Sequence, residues 1–202
     1  MNPLELPSIV QTGAPVLRAR AIEVDPERIK TPEFQTLIAV MIATMRAAPG
    51  VGLAAPQIGI PLRVIVLEDD EKLSAGASEE ERAERGRVPF ETRVFVNPEL
   101  RVLGDESDIF FEGCLSVDGY AALVERSQHV EVSGLDAHGA HQVWRVKGWP
   151  ARILQHEVDH LNGMLYIDRM KTRSFTTTEH ARELYSGRPI AEILKLLKIS
   201  EG

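Results

Sequence analysis

A chain of 202 residues is long enough for one well-buried core and short for two domains. Hydrophobic residues make up 44% and charged residues 26%, ordinary shares for a soluble globular protein, and no apolar run is long enough to span a bilayer. The formal net charge of −7, without a basic stripe, argues against specific or broad nucleic-acid binding.

Met1 to Val16 carries prolines and an acid where a signal peptide needs a basic region and an apolar core. The expected location is therefore the cytoplasm, with no membrane partner. After an irregular, proline-punctuated start, the first clear element is a helix from about Pro32 to Ala47. Thr31 is its N-cap, Pro32 fits the first helical position, and Phe34, Leu37, Ile38, Met41, Ile42 and Met45 recur at helical spacing as its buried face. Pro49-Gly50 ends it.

The stretch Gly50 to Gly59 is rich in glycine and alanine, which leaves its backbone open to another strand or a ligand. On this stretch alone an ordinary loop between helix and strand is slightly favoured. It is no phosphate loop, because no Lys-Ser/Thr follows. Leu62 to Leu67 reads as a β-branched strand and Glu68 to Glu91 as a charged surface excursion with a helical turn or two. Strand signals then follow at Arg93–Val96, Leu100–Leu103, Asp108–Phe111, Ala121–Val124, Val130–Gly134 and Gln142–Val146. The last two flank Asp136-Ala137-His138-Gly139, a hairpin turn composition. His129, His138 and His141 read as surface residues.

A helix opening at Gly148 or Trp149 and stopping at Gly163 follows, with Trp149, Ile153, His156 and His160 on one stripe. Leu165 to Met170 reads as a last strand, Thr178 as the cap of a short helix ending at Gly187, and Pro189 as the start of another. This order of elements predicts an α+β fold in a single domain spanning the whole chain, residues 1–202, with a helical tail from residue 178.

Chemistry concentrates at Gln155-His156-Glu157-Val158-Asp159-His160-Leu161-Asn162-Gly163. Histidines four apart on a helix lie about 40° round the axis from each other, so both imidazoles reach one metal ion. Glu157 stands beside that ion, where metal-assisted hydrolysis needs a group that handles protons. Two helical histidines are also found as plain core residues, so the pentapeptide alone does not decide. Cys114, the single cysteine, excludes an internal disulfide and is the obvious third ligand. It follows a strand and Gly113, which lets the chain turn sharply before the thiol. Three protein ligands mark a catalytic rather than a closed structural site. Asp159 points off the ligand stripe, either to orient a partner or as an exposed helix acid.

Gly50-Val51-Gly52-Leu53-Ala54-Ala55-Pro56-Gln57, Glu112-Gly113-Cys114-Leu115-Ser116 and the stretch from Gln155 to Gly163 resemble, in order and spacing, the three motifs of the peptide deformylase family. The likeness runs from roughly Ile9 to Phe175. Arg93 to Pro98 and Gly148-Trp149 look like its organellar-type subgroup. The resemblance implies antiparallel sheets around a central motif helix, with removal of the formyl group from N-formyl-Met nascent peptides as the reaction. It implies Fe²⁺ held by Cys114, His156 and His160, with Zn²⁺, Ni²⁺ or Co²⁺ able to substitute.

It further implies Glu157 as the base, with the Gln57 amide and the Leu115 backbone N–H against the formyl oxygen. Val51 and Gly52 would pair with the peptide as a strand edge, and Gly113 would join them in substrate binding. Phe110, Trp149 and Ile153 are offered for the methionine side chain, and each fits plain core equally. A transient ribosome contact through Arg188, Lys195 and Lys198 is an expectation to test, and the oligomeric state is open between monomer and homodimer. One rival is a zinc peptidase, which would want a histidine where Tyr166 stands or a glutamate such as Glu179 or Glu183. Another is a binding module braced by its metal.

Overall fold

The computed structural model describes residues 6–48, 50–70 and 79–200. Pro49 and residues 71–78, where the helix stop and part of the charged excursion were expected, lie outside the described residues. The elements in chain order are α1 (Pro32–Ala47), β1 (Gly52–Ala54), β2 (Val64–Asp69), α2 (Glu79–Glu84), β3 (Phe90–Val102), β4 (Ser107–Cys114) and β5 (Val117–Ser127). There follow β6 (His129–Leu135), β7 (His141–Lys147), α3 (Trp149–Leu161), β8 (Thr176–Thr177), α4 (Thr178–Tyr185) and α5 (Ile190–Leu197). The fold is α+β. A five-stranded antiparallel sheet has the order β1-β2-β3-β6-β7, and a three-stranded one the order β4-β5-β8.

Alternation along β2 organises the core, because successive side chains leave a strand on opposite faces. Val64 and Val66 point to the side covered by Phe34, Ile38, Met41 and Met45 of α1. Ile65 and Leu67 point to the other, against Ile153, Leu154, Val158 and Leu161 of α3. The five-stranded sheet is thus sandwiched between two helices. Each fully buried aliphatic side chain contributes on the order of 2 kcal/mol by area removed from water. α1 begins as its sequence dictates: the Thr31 hydroxyl accepts the Phe34 N–H at 3.3 Å, and Pro32 occupies the first turn.

Several boundaries differ from expectation. The glycine-rich stretch is an edge strand followed by a 3₁₀ turn at Ala55–Ile58, not a loop. Arg93–Val96 and Leu100–Leu103 belong to one strand, β3. Its register shifts between Val96 and Glu99, around Asn97 at φ 52° and Pro98. The strained Asn97 backbone is compensated by its side chain, which pairs with both backbone polar groups of Val24 at 2.8 Å. Leu165–Met170 forms a 3₁₀ turn at Tyr166–Asp168 and a single bridge from Met170 to Val124, not a strand. Local pattern cannot register that the Asp168 carboxylate turns back to accept the Leu165 N–H at 2.8 Å.

The cap of α4 is Thr177, one residue before the expected Thr178, and the helix ends at Tyr185. The β6–β7 turn forms as its composition predicts, with Asp136 Oδ1 accepting the N–H groups of His138 and Ala140, both at 2.8 Å. α3 spans Trp149–Leu161 with Gly148 as N-cap, and Gly163 just beyond its end has φ +75°. A β-carbon at Gly163 would lie 2.7 Å from the Arg18 carbonyl oxygen, so the stop signal is also a packing requirement. The tail beyond β8 buries Ile193 and Leu194 on Leu123 of β5, and Tyr185 stacks on Phe111 at 5.4 Å. None of the described helices is long and apolar enough to cross a membrane.

Candidate active site

α3 lies between the two sheets and carries both histidines, while Cys114 ends β4 in the smaller sheet. A sharp return from Cys114 to Val117, which are register partners, aims the thiol back at the helix. The donor atoms of Cys114, His156 and His160 all lie within 4.8 Å of one another, and Cys114 Sγ is 3.3 Å from His160 Nε2. Among the described residues this is the one cluster with metal-holding geometry. The exposed Glu179 and Glu183, and the partly or fully exposed His129, His138 and His141, stand outside it.

The donor set fits a metal on its own chemistry: one cysteine sulfur and two imidazole nitrogens within 4.8 Å of one another, in a largely buried place. The second ring nitrogens differ. His156 Nδ1 donates to Glu112 Oε2 at 3.0 Å, the carboxylate–histidine arrangement that aims Nε2 at a cation. His160 Nδ1 is buried without a protein partner. Burial pushes the His156 imidazole down, but hydrogen bonds to Cys114 and Glu112 outweigh it and hold this ring well above its ordinary value. Burial and the neighbouring charges of His156 and Arg126 hold His160 well below. The two rings therefore differ in surroundings, one tied to a buried carboxylate and the other buried with no partner on its second nitrogen.

Glu157 is 4% exposed, and its Oε2 has no hydrogen-bond partner. Burial, opposed in part by the charge of His156, raises its carboxyl to about 7. Gln57 is oriented from behind, because its Oε1 accepts the Ala54 N–H at 2.9 Å. Its Nε2 therefore faces the site, 3.6 Å from Cys114 Sγ and 3.3 Å from Ser116 Oγ.

Gln57, Glu112, Cys114, His156 and Glu157 line a cleft of about 450 Å³. Val51, Gly52, Gly113 and Leu115 lie along it, and Trp149 and Ile153 form part of its wall. The free edge of β1 borders it, since β1 pairs with β2 alone. Phe110 is the exception among the expected residues. It is buried under the guanidinium of Arg152 at 5.2 Å, on the strand face it shares with Glu112, and does not line the cleft; Phe111 borders the cleft while its ring stacks on Tyr185.

The sequence reading also missed Arg87 and Arg152, both lining the cleft. Arg87 is drawn there by a bidentate pair with the buried Asp69, at 2.7 and 2.8 Å. No spacing rule could have found either arginine. Asp159 is 6% exposed and bonded by Arg126 and Arg169, which rules out the exposed-acid alternative.

A family model described as polypeptide deformylase matches residues 6–175. The chain belongs to the polypeptide deformylase family. Among curated deformylases it is 49% identical to peptide deformylase 1A, chloroplastic, of Solanum lycopersicum over 175 residues, 87% of this chain and 63% of that protein. It is 48% identical to the mitochondrial peptide deformylase of Homo sapiens over 168 residues, covering 83% and 69%. The chain thus spans a little under two thirds of the tomato deformylase. Organellar deformylases are among its similar relatives, as the segments at Arg93 and Gly148 implied. A crystal structure of the class I type b deformylase from Acinetobacter baumannii, described as Met-Ala-Ser bound, superposes with a TM-score of 0.73 at 33% identity, covering 82% of this chain and 98% of that one.

Proposed function

We propose that this protein hydrolyses the formyl amide of N-formyl-methionyl peptides, releasing formate and a free amino terminus, as one catalytic domain. The observation that carries the reading is the convergence of Cys114, His156 and His160 donors within 4.8 Å, with the partnerless Glu157 carboxylate in the same cleft. The Acinetobacter deformylase bound to Met-Ala-Ser supports a peptide whose first residue is methionine as the occupant.

Cys114, His156 and His160 would hold the metal, Fe²⁺ as the resident ion, which lowers the pKa of a water and polarises the formyl carbonyl. Glu157 takes a proton as the water oxygen adds to the formyl carbon, and returns it to the amine nitrogen as the C–N bond breaks. A carboxyl held near 7 by burial is matched to both halves of that transfer. The Gln57 amide, fixed by its bond from Ala54, and the Leu115 N–H donate to the formyl oxygen as negative charge builds there. Each such donor is worth on the order of 3 kcal/mol in the transition state. The peptide pairs with the free edge of β1 at Val51 and Gly52, and the side chain of its first residue lies against Trp149 and Ile153.

Metal analysis of protein purified without air, combined with assays on formyl-Met-Ala-Ser and Met-Ala-Ser, tests the reading. Formate release from the first peptide is expected. Cleavage of an internal peptide bond instead would favour a peptidase.

A further inference from the structure

The metal ligands come from two elements that the chain order separates, α3 and the end of β4. Something has to hold those elements at a fixed spacing. Arg152, in the first turn of α3 and one turn before His156, is 4% exposed and bonded to both sheet strands at once. Its Nη1 donates to Glu112 Oε1 at 2.7 Å and to the Val124 carbonyl at 3.0 Å, and its Nη2 donates to the Asp108 carbonyl at 2.6 Å. Asp108 and Glu112 belong to the strand that ends in Cys114, and Val124 to its neighbour β5.

The same guanidinium decides how Glu112 sits. Arg126 grips both Glu112 oxygens, Nε on Oε1 and Nη2 on Oε2, each at 3.0 Å. A symmetric fork leaves open which oxygen faces the histidine. Arg152 takes the remaining position on Oε1, so Oε2 is left to accept His156 Nδ1 at 3.0 Å. The carboxylate is then saturated in a single orientation.

We infer that Arg152 is a positioning residue for the metal centre: it braces the motif helix against the strand that ends in Cys114 and fixes the Glu112 oxygen that orients His156. The inference rests on the reading that Cys114, His156 and His160 bind a metal. Arg152 touches no reacting atom, so its signature is in the metal's retention and ligand geometry.

The experiment uses full-length Co²⁺-loaded protein and its Arg152→Met and Arg152→Lys variants. Met keeps the apolar stem, and Lys keeps the charge without a fork that can bond carboxylate and both carbonyls. Transfer of Co²⁺ to a chromogenic chelator should be about 10- to 100-fold faster in both, the scale on which such supporting groups act, and the cobalt absorption bands should move. Melting of the metal-free proteins reports folding separately. If Arg152→Met does not fold, Arg152→Lys decides alone. Release at the intact rate with unmoved bands, in any folded variant, overturns the inference. An intact protein that takes up no cobalt overturns it together with the metal-site reading, whereas normal uptake with an unaffected variant overturns the inference only.

Discussion

A β-carbon built on Gly52 would lie 2.3 Å from Oε1 of Glu157 and 2.8 Å from its Cδ. The bare backbone of the glycine-rich motif therefore makes room first for the proposed base, and only then for a peptide. Glu157 is buried and its Oε2 unpartnered, so little else fixes where its carboxylate points.

Gly52→Ala should displace that carboxylate while β1 stays paired to β2. Turnover of formyl-Met-Ala-Ser is expected to fall by roughly 10²-fold, on the scale of a misplaced catalytic group. Metal content should stay the same. A variant with normal kcat would refute the claim that the bare backbone at Gly52 sets the position of the Glu157 carboxylate.

Glu157→Ala removes the carboxylate and leaves the three donor side chains in place. Its kcat should drop by about 10²- to 10⁴-fold with metal stoichiometry preserved. Steady-state kinetics together with metal analysis on the same sample checks both halves. Retained activity would rule out Glu157 as the base.

Cys114→Ser substitutes a hydroxyl that is not ionised at neutral pH for a thiolate. Metal should be lost on dialysis against a chelator under conditions where the parent keeps it. Equal retention would mean that the sulfur, 3.3 Å from His160 Nε2, is not a ligand.

Away from the site, the hydrogen bond from Arg46 depresses the Glu68 carboxyl despite its partial burial, with Nε to Oε2 at 2.6 Å and Nη2 to Oε1 at 2.9 Å. A folded-state pKa below the unfolded one gives stability that is present above about pH 4.3 and lost as pH falls through the folded value. The Arg46 side chain is 57% exposed, so screening keeps the effect below about 1 kcal/mol. Arg46→Gln should thus be slightly less stable than the parent in urea at neutral pH. The gap should close in acid, and a gap that widens there would refute the assignment.

The tail illustrates how local rules and tertiary context divide the work. Its apolar stripe at Ile190, Ile193, Leu194 and Leu197 was visible as periodicity. Its partner, the outer face of β4–β5 with Leu123 and Phe111, was not. Arg188 is occupied by Glu192 one turn on, leaving Lys195 and Lys198 as exposed cations on this helix.

Short-range chemistry made much of the rest readable from the chain itself: the Thr31-Pro32 start of α1, the Asp136–Gly139 hairpin, the i, i+4 histidines beside a glutamate, and a lone cysteine after a strand. Each of these depends on neighbours within a few residues, so order and spacing suffice. The contacts between distant segments were settled only in three dimensions. Contacts across the layers fixed which β4 aromatic meets the motif helix, Phe110 under Arg152, and which meets the tail, Phe111 on Tyr185. The packing of α3 between two sheets buried Asp159 and placed Arg152 across β4 and β5. A side chain's partner 30 or more residues away leaves no period in the sequence, because it is set by which faces and edges the folded layers bring together.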